Sequence, residues 1–135
     1  TPEERDMDDD NIEKRLTEAL HETLLHIAGV SGAIAKRLRP GQSLNADLGL
    51  DDVDLEVLAG CQRKLGDRLR LDHGSTRIDA DELYDLSVGD VFALTVRRAL
   101  GQELSATTTA VLFARAQAGL AYRMPPVGVR IQMRS

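Results

Sequence analysis

Between Asp51 and Val57 the chain sets four carboxylates, Asp51, Asp52, Asp54 and Glu56, around two valines, Val53 and Val57. Paired carboxylates are the raw material of general acid/base chemistry, but acids in the first turn of a helix are stabilised by its macrodipole and stay solvated. What such a cluster offers is charge that a basic partner surface can read. Asp54 stands three residues after Asp51, the spacing of a capping box, so Asp51 is expected to be a helix N-cap. Asp52 and Glu56 are four apart and should share one exposed face.

Other residues with chemical potential are sparse. His21 and His26 are five apart, off the i, i+4 spacing of a helical metal pair, and His73 stands beside Gly74. Each reads as a surface or half-buried side chain rather than a ligand. Asp8-Asp9-Asp10 reads as solvated acid ahead of a helix, not as a metal site. The single Cys61 has no neighbouring base and no second thiol, so it is expected to be a small core residue and forms no internal disulfide. There is no Gly-x-Ser-x-Gly elbow, phosphate-cradling glycine loop or His-Glu-x-x-His, so no enzymatic activity is expected.

The elements that must position the acidic cluster follow from composition and periodicity. A length of 135 residues suits one domain. With 22 acidic against 17 basic side chains the net charge is -5, which argues against nucleic-acid binding. Aromatic content of 3% without Trp asks for a Leu, Ile, Val and Ala core, which favours an all-α fold. No apolar run has membrane-span length, and a cytoplasmic setting is expected.

Residues 1–10 read as a mobile acidic tail. Ile12, Leu16, Leu20, Leu24 and Ile27 then recur at helical spacing and predict a long first helix. Gly29 and Gly32 predict a break or kink, Ile34 and Leu38 resume the spacing, and Pro40-Gly41 stops it. Leu44, Leu48 and Leu50 should pin the following loop to the core. The second helix is expected to turn inward Val53 or Val57, Leu58, Cys61, Leu65 and Leu69, with Gly66 a weak point or end. A short turn is expected within residues 80–85. Ser87 should cap a last bundle helix that buries Val88, Val91, Phe92, Thr95 and Ala99. From residue 101 on, a helix over about 105–121 is expected to end at Pro125-Pro126 and give way to an extended tail. Val111, Leu112, Phe113, Leu120, Tyr122 and Met124 would either fold back on the bundle or form an interface, with self-association through residues 103–135 as the second outcome.

Two stretches carry a family resemblance. Asp47-Leu48-Gly49-Leu50-Asp51-Asp52-Val53-Asp54 resembles the Asp-Leu-Gly-x-Asp-Ser-Leu-Asp run of the acyl carrier protein family, and Leu86-Ser87-Val88-Gly89-Asp90-Val91-Phe92-Ala93-Leu94 resembles the Thr-Val-Gly-Asp-x-Val start of that family's last helix. The resemblance spans about residues 10–100. It implies an acyl-carrier-like four-helix bundle over residues 11–100, here with a long first helix and an extra C-terminal helix and tail over 101–135. In that family the serine of the first motif carries 4′-phosphopantetheine; in this chain Asp52 holds its position, so no cofactor is expected unless Asp52 is a deliberate replacement of that serine. The resemblance implies partner docking through Asp51, Asp52, Val53, Asp54, Glu56 and Val57, on a protein with a basic surface. Arg63, Lys64, Arg68 and Arg70 depart from the pattern by making the far end of the helix basic.

The first expectation is therefore a docking module for an enzyme of fatty-acid, polyketide or related acyl metabolism, without the prosthetic arm. The second is a true carrier whose serine was changed to Asp52, and the third a structural subunit acting through its C-terminal extension.

Overall fold

A computed structural model describes the backbone of residues 2–133 and the side chains of residues 11–119. Among the described residues it holds five α-helices, one 3-10 turn and no strand. The helices are α1 (Pro2–Ser31), α2 (Asp52–Leu69), α3 (Ala80–Leu83), α4 (Val88–Leu100) and α5 (Ala106–Met133), with the 3-10 turn at Ala35–Arg37.

The apolar spacing of α1 does what it predicts: Leu16, Leu20, Leu24 and Ile27 are buried. Helix α1 does not break at Gly29, which sits in a solvent-facing position where a missing side chain costs only helix propensity. It ends at Ser31 because Gly32 turns left-handed at φ +78 while its N–H still reaches Ala28 O at 2.9 Å. Beyond it Ile34 and Leu38 do not resume an α-helix. The short stretch before Pro40 makes only the 3-10 turn, with Ile34 exposed and Leu38 buried.

Helices α1 and α2 run antiparallel: Arg15 Nη2 donates to Leu69 O at 2.9 Å, Arg68 meets Glu22 at 3.0 Å, and His26 Nδ1 meets Gln62 Oε1 at 2.8 Å. Helix α4 packs beside them, capped by Ser87, whose Oγ accepts from Asp90 N, and closed by Gly101 in the left-handed region. Its Val88, Val91, Phe92 and Thr95 are buried and Ala99 half-buried, as the spacing predicts.

At the centre Gln62, fully buried, joins three helices. Its Nε2 donates to Thr23 Oγ1 at 3.1 Å and Thr95 Oγ1 at 2.9 Å, and those hydroxyls donate to Ala19 O and Val91 O. Oε1 is left to accept, so His26 presents an N–H at Nδ1. Every polar atom of the amide is thus satisfied, which is what makes its burial tolerable.

Helix α5 lies on α1 and the 3-10 turn, burying Leu112, Phe113 and Ala116. Gln117 Nε2 donates to the carbonyls of Lys36 and Leu38. The described part of the C-terminal extension therefore folds back on the bundle. Its backbone stays helical through Pro125-Pro126 to Met133, a correction to the expected end near residue 121 and the extended tail; proline's fixed φ lies within the helical range, and its cost is a lost N–H bond together with crowding of the carbonyl four residues before it. Leu120, Tyr122 and Met124 fall outside the described side chains, as does the question of mobility at residues 1–10.

Candidate functional site

The acidic cluster opens α2, and a folded loop delivers it. Ser43 O accepts from Asp47 N and Leu48 N, each at 3.1 Å, while Ser43 N donates to Asp47 Oδ2 at 2.7 Å. Leu44 and Leu50 are buried and Leu48 packs against the core, so the three leucines do pin this segment. The loop is also laced to the start of α4: Leu44 N donates to Leu86 O at 3.1 Å, Val88 N to Gln42 O at 2.9 Å and Gly89 N to Pro40 O at 2.9 Å. Gly89 suits this close approach, since a Cβ would stand 3.3 Å from both Pro40 Cβ and Pro40 O, a tight contact that would press on the loop. The two stretches singled out in the sequence are thus neighbours in space.

The capping box is present. Asp54 N donates to Asp51 Oδ1 at 2.9 Å and Asp51 N donates to Asp54 Oδ2 at 3.2 Å. Asp51 and Asp54 are consumed by the turn. Asp52, Val53, Glu56 and Val57 project outward; the two valines are 70% and 52% exposed, which corrects the assignment of either to the core. The inward stripe is instead Leu55, Leu58, Ala59, Gln62, Leu65, Gly66 and Leu69. Cys61, expected in the core, is only half-buried. Gly66 does not weaken or end α2. It lets the 70–79 segment approach, because a Cβ there would meet the Thr76 side chain at 2.5 Å.

A cleft of about 490 Å³ lies between the start of α2 and α3. Asp52 and Glu56 line one side, Asp81, Asp85 and the half-exposed Tyr84 the other, with Leu55 and Ala80 between. Among the described residues four carboxylates and no basic side chain line it, so this lining is acidic. Sequence reading did not join Asp81, Tyr84 and Asp85 to this surface. Their distance along the chain hid the link, although the run of acids from Asp79 to Asp85 was a usable signal.

Helix α3 is held by α4. Arg98 forms a charge-assisted pair with Glu82 and its Nη1 donates to Arg77 O at 2.8 Å. That guanidinium, with help from the Asp79 N–H, holds the Glu82 carboxyl below the usual range, and Glu82 in turn raises Arg98.

No protein-family model, curated protein or solved structure matches the chain.

The basic end of α2 is largely spoken for. Arg63 Nη1 donates to Ile78 O at 2.7 Å, Arg68 pairs with Glu22, and Arg70 binds Asp72 at 2.8 Å while reaching the carbonyls of Ser75 and Arg98. Arg70 holds the Asp72 carboxyl below its ordinary value. Arg63 and Arg70 hold the 70–79 segment and Arg70 also meets the C-terminal end of α4, whereas Arg68 meets α1. Among the described residues no group of three or more His, Cys, Asp or Glu is arranged to hold a metal ion. Ser43 and Ser31, the serines nearest Asp52 upstream, have hydroxyls engaged in their own turns, with Ala46 N and Ala33 N as donors.

Proposed function

We propose that this chain is an acyl-carrier-like docking module without a prosthetic arm, which binds a basic surface on an enzyme of acyl metabolism through the start of α2. The observation that carries this reading is the division of labour in the first turns of α2. Asp51 and Asp54 hold each other in the cap, while Asp52, Val53, Glu56 and Val57 stay exposed beside an acidic cleft. Two exposed valines among unpaired-sign carboxylates give apolar contact area within a steering field, the composition of a polar-rimmed recognition patch. The order of elements, long helix, loop, helix, short helix, helix, agrees with what the resemblance implies for residues 11–100, and α5 is an addition to it.

Incubation with a promiscuous phosphopantetheinyl transferase and coenzyme A should leave the intact mass unchanged; a gain equal to the arm sinks the reading. The exposure of Asp52 favours one second reading, a carrier whose serine was replaced. In that case Asp52→Ser is loaded at residue 52, and failure with several transferases removes it. Docking itself is tested by Asp52→Lys with Glu56→Lys. The far-ultraviolet spectrum should be retained while partner binding is lost, and wild-type binding should weaken from low to physiological ionic strength. Salt-independent binding by the doubly reversed protein would move the docking surface elsewhere.

A further inference from the structure

The pole of the bundle remote from Asp52 carries a second concavity. Along an 18-residue α2, at ~1.5 Å per residue, it lies about 27 Å from the acidic start. This cavity of about 100 Å³ is walled by Ile12 and Leu16 of α1, Leu69 at the end of α2, Leu71 just beyond it, and Leu100 at the end of α4, with Arg15 and Gln102 as its polar members. Leu16 and Leu69 are buried, whereas Ile12 is 39% and Leu71 86% exposed. Aliphatic surface is therefore left in water around a concave apolar floor, which favours an apolar occupant.

Charge selects among such occupants. Among the described residues of the lining Arg15 is the one ionised side chain; it also lines, with Glu18 and Glu22, a neighbouring shallow concavity. Its bond to Leu69 O uses one of the five N–H donors of a guanidinium. We infer that the cavity binds a small anion with a short unbranched apolar tail, the tail among the leucines and the carboxylate on Arg15. Size sets the length: a dry cavity of roughly 150 Å³ admits benzene, so this one takes about four carbons and leaves the head outside.

The probe is hexanoate, titrated into the ¹⁵N-labelled full chain. Saturable amide shifts confined to residues 12–16, 69–71 and 100–102 are expected. Hexylammonium, with the same tail and opposite charge, and acetate, with the head alone, should each bind at least about tenfold more weakly. Arg15→Gln should weaken hexanoate by about the same factor, and Leu100→Phe, which fills the cavity, should abolish saturation. Equal binding of hexylammonium, undiminished binding by Arg15→Gln, absence of saturation, or shifts centred elsewhere would overturn the assignment. Because the site is remote from Asp52, its failure leaves the docking reading untouched.

Discussion

Thr76 donates its backbone N–H to Asp67 Oδ1 at 2.6 Å, yet its side-chain Oγ1 is buried with no hydrogen-bond partner among the described residues. A hydroxyl in that position costs desolvation and returns nothing, so Thr76→Val, nearly the same shape, should leave stability unchanged or raise it by up to about 1 kcal/mol. Urea unfolding checks this, and a clear loss would reveal a partner for the oxygen. Glu82 behaves in the opposite sense. Its carboxyl is held low chiefly by Arg98, so the unfolded chain takes up the proton first as pH falls. The pair's contribution is complete above the ordinary glutamate value near ~4.3 and disappears as pH drops through the lowered folded value. Glu82→Gln should therefore be less stable than wild type at pH ~7, by under about 1 kcal/mol for so exposed a pair, with the difference closing below pH ~4.

At the level of elements, α2 shows what could be read in advance and what could not. Its cap was legible because Asp51 and Asp54 interact only with each other's backbone, a local matter that three residues of sequence contain. Asp51→Ala should cost about 1 kcal/mol in thermal or urea unfolding. Of its expected buried face Leu58, Leu65 and Leu69 are indeed inside, and the rest was misjudged because the stripe has a glutamine at its middle. A search for apolar residues skips Gln62 and drifts onto Val53, Val57 and Cys61, and only the threonines of two other helices make that amide welcome inside. Gly66 was misjudged for a like reason, since nothing near it in sequence announces Thr76. Gly66→Ala should destabilise by about 1–3 kcal/mol despite alanine's better helix propensity, because the new methyl meets the Thr76 side chain at 2.5 Å. An unchanged unfolding midpoint would mean that the segment simply moves aside. The cleft went unseen because it is assembled from α2 and α3, which no local pattern connects.

For the whole molecule, α5 decides how the bundle is closed. Leu112, Phe113 and Ala116 cover α1, and Gln117 ties the helix to the turn at Lys36 and Leu38. Deleting residues 103–135 should lower the thermal midpoint by about 10 °C or more, without a change of oligomeric state. An unchanged midpoint would assign the extension to another role. The buried amide has a consequence of a different kind. Helices rich in leucine are slippery: displaced by one turn, their aliphatic side chains find new aliphatic neighbours at small loss. Gln62 does not. Moved by a turn against α1 or α4, it leaves its own nitrogen, its oxygen and His26 seeking partners in a hydrocarbon environment, a penalty of several unmet bonds at once. One polar residue thereby acts as the alignment key of three helices, and the face that α2 shows to solvent, valines and acids in fixed rotation, is chosen from inside the core.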